Sequence, residues 1–578
     1  MQIVQNGYSD YSIVIPVAAS AANAFAAQEL AKYIFTATGA ALSVTADDAP
    51  VRAHEICVGP VNRDGLPGTC GLKWDGYAWK TAGERIFLLG ESDRGHVYAA
   101  YRFLEKYLGI RFFTAEVTRI PQRKNWDLPA LDERLNPAFE YRSTSWHEYK
   151  NCPDMSAKRG LNGRESQLDE KRGNALNYHG FVHTMKLYLP PEEFFDEHPE
   201  YYAIYNGERQ KGEYWQPCLT NPEVYRIMLE RVMKAIEEHP EATIFSVSQN
   251  DGFGPCQCPE YTRVNEEEGG SYGGTVLRFV NAIAREVAKK YPHIIIDTLA
   301  YRFTRQPLKI TKPEPNVVVR ICTIECCFSH PIAECVDESA AEKVDGKATP
   351  TMQQDMDGWR DIHNRLHIWD YTTNFWHYLS PFPNFAVLQP NIQYFIDHHV
   401  TGLFEQGNGR SVSGELGELR GYLLTKLMWE PYGNVDEWMN DFLVGYYGQG
   451  ASAIRAYIDM LEKHVTENLV HVGIYNHPEV YLPDELVKKA EILWNRAQLA
   501  EGDGPAKERI ARSRMQLRYV QLRRMRNNPD RARLVEEFIS DVHRFGITYL
   551  QEGRPLEISF SVLRLGKCEG KTLFDPLD

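Results

Sequence analysis

The sequence has no excess of positive charge: 78 acidic residues outweigh 64 basic ones, and the formal net charge is −14. A surface of that sign repels phosphate backbones, which argues against nucleic acid as a partner. No apolar run is long enough to span a bilayer, so no membrane partner is expected. Residues 1–10 lack the basic stretch followed by an apolar one that marks a secretory leader. The expectation is a bacterial-type cytoplasmic protein, or a secreted one if residue 1 is not the natural start. Eleven cysteines, an odd number spread along a long chain, make no disulfide framework. No G-x-G-x-x-G follows a candidate strand, which counts against a dinucleotide-binding sheet. No H-E-x-x-H is present, which counts against zinc hydrolysis. No cofactor and no metal are called for.

What is present is long and aromatic. A chain of 578 residues is too large for one core. Aromatics reach 12%, with 11 Trp and 32 Tyr. Rings in that number suit a protein that stacks flat apolar faces, as sugar-binding proteins do; a large aromatic core would use them equally well.

The hydrophobic pattern changes rhythm twice. Residues 1–130 read as a small α/β domain, with strands at 11–16, 55–59, 85–90 and 110–114. Its helices lie at 19–38 and 95–109 and are stopped by Gly39 and Gly109. Over 135–432, strand-like runs alternate with amphipathic helices at 222–239 and 274–290. The strand candidates are 139–146, 175–179, 214–220, 244–251, 294–301, 317–325, 367–373 and 402–406. Eight strands alternating with helices predict a (β/α)₈ TIM barrel of α/β class, with an open doubly wound sheet as the alternative. Residues 433–578 read as an α-helical domain, with helices at 436–447, 451–468, 484–501 and 506–527 and a short extended cap from 556. The last of those helices is strongly basic through Arg509, Arg512, Arg514, Arg518, Arg523 and Arg524, read as a solvated face paired with local acids rather than an anion site.

In a parallel barrel the carboxyl ends of the strands form the mouth. Those ends offer Trp146, His179, Asn250, Asp251, Tyr301, Glu325, Asp370, Tyr371, Glu405 and Asn408, with His183, His330 and Trp376 close by. Glycosidic cleavage needs such a mixture: one carboxylic acid protonates the leaving oxygen, and a second group attacks or stabilises the anomeric carbon. Glu325 sits in the apolar run Cys322-Thr-Ile-Glu-Cys-Cys-Phe328, a setting that favours a protonated acid. Asp251 lies in a polar, glycine-rich loop and would stay ionised. The alternative roles are structural: a helix cap for Asp251, a wall ion pair for Glu325, and loop ordering for Glu405. Trp146 and Trp376 are taken as sugar platforms, and Trp369 as core. Cys256, Cys258, Cys326 and Cys327 do not have the spacing of a zinc ribbon and read as buried thiols.

Several of these stretches resemble known families. The run Arg94-Gly-His-Val-Tyr-Ala-Ala-Tyr-Arg-Phe-Leu-Glu-Lys-Tyr-Leu-Gly-Ile-Arg-Phe-Phe113 resembles the end of the small α/β domain before the barrel in α-glucuronidases and family 20 hexosaminidases. The run His198-Pro-Glu-Tyr-Tyr-Ala-Ile-Tyr-Asn-Gly-Glu-Arg209 and the run Cys218-Leu-Thr-Asn-Pro-Glu223 are similar to the early barrel of the same proteins. Ser246-Val-Ser-Gln-Asn-Asp-Gly252, followed by Cys256 and Cys258, resembles domain-of-unknown-function family 4838. That family includes glycoside hydrolase family 163, whose activity is retaining endo-β-N-acetylglucosaminidase. Ile324-Glu-Cys-Cys-Phe-Ser-His-Pro331 and Phe404-Glu-Gln-Gly407 fit the same pattern, and the likeness runs to about Tyr432. Two departures stand out. The third cysteine frequent after the C-x-C pair is missing, and Asn250-Asp251 replaces the Asp-Glu of family 20 enzymes.

The resemblance implies a glycoside hydrolase acting on a β-linked N-acetylhexosamine within an oligosaccharide. Glu325 would be the general acid/base, Asp251 would position the acetamide or stabilise positive charge, and Glu405 would be the rival acid or the nucleophile. His179, His183, Asn250, Tyr301, His330, Asp370, Tyr371, Trp146, Trp376 and Asn408 would line the substrate site. One alternative is an α-glucuronidase-like enzyme with a basic clamp from Arg142, Arg302 or Arg320. Another is a carbohydrate-binding protein without catalysis. Homo-oligomers are compatible with the sequence.

Overall fold

The structure is a computed structural model describing residues 1–252, 254–335, 343–344, 347–348, 351–525 and 528–565. Two sheets organise it. The first holds β1 (Ser12–Ile15), β2 (Val44–Ala46), β3 (Glu55–Val58), β4 (Tyr77–Ala82), β5 (Arg85–Gly90) and β6 (Asp132–Leu135), in the order β6-β4-β5-β3-β1-β2. Helices α1 (Ala21–Thr38) and α2 (Asp93–Phe103) pack against it. Each begins at a serine whose hydroxyl accepts a backbone N–H, Ser20 from Asn23 and Ser92 from Gly95, which satisfies a donor the helix itself cannot. The first ends at Gly39 with φ of 82°. The second winds on through a wider turn, Leu104–Leu108, to Gly109 at φ 80°. Both predicted glycine stops are therefore used.

The second sheet is entirely parallel. Its strands are β7 (Tyr141–Thr144), β8 (Tyr178–His179), β9 (Ile244–Ser246), β10 (Ile295–Ala300), β11 (Val317–Cys322), β12 (Leu366–Tyr371) and β13 (Val400–Gln406). They lie in the order β7-β13-β12-β11-β10-β9-β8, so from β8 to β13 the chain steps across the sheet one neighbour at a time, and β7 pairs with β13 at the far end. Crossovers carry α3 (Pro222–Glu238), α4 (Gly273–Lys290), α5 (Met352–Ile362) and α6 (Phe385–Asp397). The described residues thus form a curled parallel sheet of seven strands where eight were expected. The missing one is 214–220. That stretch makes a single isolated bridge, between Pro217 and Tyr202, and Gln216 spends its side-chain amide on the backbone of Asn250 instead of entering a ladder.

The sheet curls around one side chain. Arg320 on β11 is wholly buried, with its Nε 3.2 Å from Asp297 on β10. Its Nη2 reaches both the Tyr178 hydroxyl on β8 at 3.0 Å and His367 Nδ1 on β12 at 3.3 Å, while Nη1 has no hydrogen-bond partner among the described residues. The guanidinium also lies 5.3 Å from the ring of Tyr141 on β7. The two end strands therefore meet: Tyr141 and Tyr178 have ring centroids 6.1 Å apart. Gly402 on β13 faces His367, and a Cβ there would come within 2.5 Å of the imidazole Nε2. Arg320 is thus part of the sheet's inner packing rather than a sugar clamp. Arg142, the other buried candidate, is also structural. It donates to Asp75 at 2.9 Å and joins the two sheets. Burial alone would raise the pKa of Asp75, but Arg94 and Arg142 outweigh it and hold the carboxyl well below the usual range.

Beyond β13 the chain is helical: α7 (Gly417–Leu427), α8 (Val435–Tyr447), α9 (Ala451–Glu467), α10 (Asp484–Glu501), α11 (Lys507–Ser513), α12 (Met515–Arg524), α13 (Arg531–Arg544) and α14 (Leu556–Leu565). The extended cap expected from 556 is helical over its first ten residues, and 566–578 lie outside the described residues. Arg512, Arg518, Arg523 and Arg524 pair with Glu418, Asp541, Glu479 and Asp484, the acid-paired face that the composition suggested. No helix among the described residues is long and apolar enough to cross a membrane.

The Arg320–Asp297 pair should behave as a unit. Removing one partner strands a charge in a low-dielectric interior, which costs about 3–5 kcal/mol. Asp297→Ala is expected to lose about that much in urea unfolding, and Asp297→Leu/Arg320→Met to recover most of it. Equal losses in both variants would mean that the pair is not coupled.

Candidate active site

A cavity of about 710 Å³ opens at the carboxyl ends of the parallel strands. Leu299 and Tyr301 reach it from the end of β10, and Cys322, Ile324, Glu325 and Cys326 from β11 and its loop. Trp369, Tyr371 and Trp376 come from β12 and its loop, Gln406 from β13, and His183 and Asp251 from the loops after β8 and β9. The far wall is C-terminal: Gly473, Ile474, Tyr475, Asn476 and Glu552. Three backbone bonds tie that wall to the loop after β12. Phe375 N donates to Ile474 O at 2.9 Å, Glu552 N to Phe375 O at 2.9 Å, and Tyr378 N to Leu550 O at 2.9 Å.

Three carboxylates face this space, each in different surroundings. Asp251 accepts a hydrogen bond from the Tyr301 hydroxyl at 3.3 Å. Burial raises the pKa of that tyrosine, and the charge of Asp251 adds to the rise. Glu325 is not in the apolar setting expected of it. Its Oε2 lies 3.0 Å from Arg305 Nη1, and Arg305 also holds Asp355 at 2.6 Å. Burial raises Asp355 to about 6 against the pull of Arg305. Glu552 accepts a long hydrogen bond from Gln406 Nε2 at 3.4 Å. Burial raises its pKa; Arg410 opposes the shift and the charge of Asp251 adds to it. His183 bonds the Gln249 carbonyl through Nδ1 at 2.8 Å, and burial lowers its pKa despite Asp251 nearby. Of the three arginines considered as a clamp, Arg302 alone lines the cavity.

Of the residues read from the sequence, Asp251, Glu325, His183, Tyr301, Tyr371 and Trp376 converge on the cavity. Others lie elsewhere, and strand geometry explains why. Successive strand residues point to opposite faces. Trp369, Tyr371 and Gln406 face the cavity, so Asp370 and Glu405 face away, side by side in register on β12 and β13. Glu405 is fully buried, and neither carboxyl oxygen has a hydrogen-bond partner among the described residues. Burial raises its pKa well above the ordinary value, and Asp370 adds to the rise. Burial likewise brings Asp370 to about 6, although it accepts bonds from the Thr323 hydroxyl and the Tyr371 N–H. Glu405 is therefore a buried acid behind the wall.

The remaining candidates are also accounted for. Trp146 donates to Thr372 and packs on Gly407, where a Cβ would come within 2.2 Å of the indole. Asn408 is buried beside it, with its backbone carbonyl accepting from His147. His179 alternates with the inward Tyr178 and instead packs against His239, with ring centroids 4.3 Å apart and the planes tilted by 31°. Asn250 is held by Lys186, Trp215 and Gln216, so it orders loops rather than facing the cavity. His330 belongs to a separate cluster of thiols and imidazoles. Tyr475, Gln406 and Glu552 were missed. Glu552 follows the last strand of the parallel sheet by some 150 residues in a stretch with no local motif, and nothing but the fold brings it to the mouth.

This chain belongs to the DUF4838 family, described as a domain of unknown function, whose model matches residues 112–459. A search of the curated proteins gives no match. Among solved structures the fold is similar to that of a family GH115 4-O-methyl-α-glucuronidase with specificity for decorated arabinogalactans. The TM-score is 0.54 at 10% identity, with 94% of this chain and 77% of that chain covered. It is also similar to a GH138 enzyme targeting pectin rhamnogalacturonan II, with a TM-score of 0.50, 10% identity, and coverage of 94% and 75%. A Streptomyces plicatus β-hexosaminidase gives a TM-score of 0.43 at 11% identity, over 75% of this chain and 90% of that one.

Because Asp370 and Glu405 hold protons more tightly when folded than when unfolded, they favour the folded state at low pH. That contribution fades as pH rises from the ordinary aspartate value of 3.8 through about 6, and at higher pH for Glu405. Asp370→Asn/Glu405→Gln is expected to have a flatter profile of thermal midpoint against pH than the wild type, and to be the more stable of the two above that interval. Parallel profiles would contradict the burial of this pair.

Proposed function

We propose that the protein is a glycoside hydrolase. The observation that carries this reading is the set of three carboxylates, Asp251, Glu325 and Glu552, around one cavity walled by Trp369, Tyr371, Trp376 and Tyr475. Hydrolysis of a glycoside needs a proton donor beside anionic groups, and flat rings suit the apolar faces of sugars. Glu552 is the donor, because burial and the charge of Asp251 favour its protonated form. Glu325, paired with Arg305, serves as the anionic partner rather than the acid first expected. Asp251, with Tyr301 beside it, takes a polar group of the substrate. The fold's likeness to two carbohydrate-active enzymes supports the reading.

The substrate follows from what Asp251 and Arg302 engage. A β-linked N-acetylhexosamine is the first reading: its acetamide N–H would donate to Asp251. A uronic acid is the second, favoured by the presence of Arg302 in the cavity and by the fold shared with a glucuronidase.

The test is hydrolysis of 4-nitrophenyl β-N-acetylglucosaminide, β-glucoside and α-glucuronide, with oligosaccharides alongside. Glu325→Gln and Asp251→Asn are expected to lower kcat/KM by roughly 10²–10⁴ on every substrate cleaved, the range for loss of a positioned acid or base. Glu552→Gln should cost far less on the nitrophenyl glycoside, whose leaving group needs no proton, than on the oligosaccharide. It should also remove the fall in rate at alkaline pH. Turnover of the glucuronide alone would select the second substrate. Glycan binding without cleavage of any substrate would make the protein a sugar-binding module.

A further inference from the structure

Behind the cavity wall lies a cluster that the spacing of residues along the chain did not reveal. Cys327, His330 and Cys335 sit in the loop that follows Glu325, and His471 comes from the segment leading to Tyr475. Their four ligand atoms all lie within 4.8 Å of one another. Cys327 Sγ is 3.3 Å from His330 Nδ1, and Cys335 Sγ is 3.6 Å from His471 Nδ1. The two imidazoles have centroids 4.7 Å apart. A tetrahedral zinc with Zn–S of about 2.3 Å and Zn–N of about 2.0–2.1 Å sets sulfur and nitrogen roughly 3.6 Å apart. The observed spacing is close to that figure. Two thiolates and two imidazoles are also the donor set that zinc takes in structural sites, where four protein ligands leave no position for water.

We propose that Cys327, His330, Cys335 and His471 bind a structural zinc ion that staples the loop carrying Glu325 to the segment carrying Tyr475. The backbone already brings the two together. Phe328 N donates to Val472 O at 2.8 Å, and the Ser329 hydroxyl donates to Val470 O at 2.7 Å. Those bonds place the donors, and the metal would lock them. Zinc at this position would hold one wall of the cavity without touching its contents.

The chain holds a second sulfur group, Cys218, Cys256 and Cys258, with Sγ separations of 3.8 Å from Cys218 to each of the others. The experiment must therefore compare stoichiometries. Zinc per chain is measured by mass spectrometry of the metal in the full-length protein, in the wild type, Cys327→Ser/His330→Ala and Cys256→Ser/Cys258→Ser. The expected result is the loss of one equivalent in the first variant and its retention in the last. Cobalt substitution of the wild type should show thiolate charge-transfer and tetrahedral bands, with the share owed to this site absent from the first variant. If that variant fails to fold, His471→Ala changes only an exposed ring and should release one equivalent faster to a chelator. An unchanged zinc content in the Cys327 variant, or an unchanged release rate in His471→Ala, would overturn the proposal. So would a wild type that binds neither zinc nor cobalt, or a Cys327–Cys335 disulfide in the non-reduced protein.

Discussion

The guanidinium of Arg320 sets the terms for the rest of the parallel sheet. A charge buried this completely is costly unless an anion and hydrogen-bond acceptors meet it. Here the anion comes from the neighbouring strand, the acceptors from β8 and β12, and a ring from β7. Those demands draw both ends of a parallel sheet toward one point and give the curl its closure. They also fill the inside of the sheet, and the cavity opens above, at the carboxyl ends of the strands. Gly402 follows from the same crowding, since His367 occupies the volume a side chain would need.

The cavity that results is only partly the work of the sheet. Its far wall is borrowed from the helical region and held by three backbone bonds to the loop after β12. This arrangement couples the electrostatics of the site to the docking of distant chain. Glu552 feels both its own burial and the charge of Asp251, contributed from opposite sides. The same docking draws Cys327, His330, Cys335 and His471 together. Placement of the wall, the raised pKa of Glu552 and the proposed metal staple are thus consequences of one contact surface.

Strand alternation divides the legible part of the site from the rest. Asp251, Tyr301, Glu325, Tyr371 and Trp376 could be named from the sequence because polar and aromatic residues at strand ends face the mouth whenever the register favours them. Asp370 and Glu405 have the same composition and the same position along their strands, but each is one residue out of phase with the inward row. A shift of one residue turns a side chain to the other face of a sheet. His179 is out of phase with Tyr178 in the same way. The stretch 214–220 looked like a strand by composition, but its polar groups serve the loop around Asn250. Glu552 and Tyr475 carry no local signal, since neither lies in a strand or near a motif.

The sequence by itself determined the alternation of strand and helix, the glycine stops at Gly39 and Gly109, the helical character of the last quarter, and the concentration of carboxylates and rings at strand ends. Those properties are local: they depend on the spacing of apolar residues, on caps and on backbone freedom. The tertiary structure alone decided the strand count, the partner of Arg320, which carboxylates face the cavity, which of them is driven toward protonation, and which cysteines and histidines meet. Each of those depends on side chains far apart in the chain approaching within a few ångströms, and on water being excluded when they do.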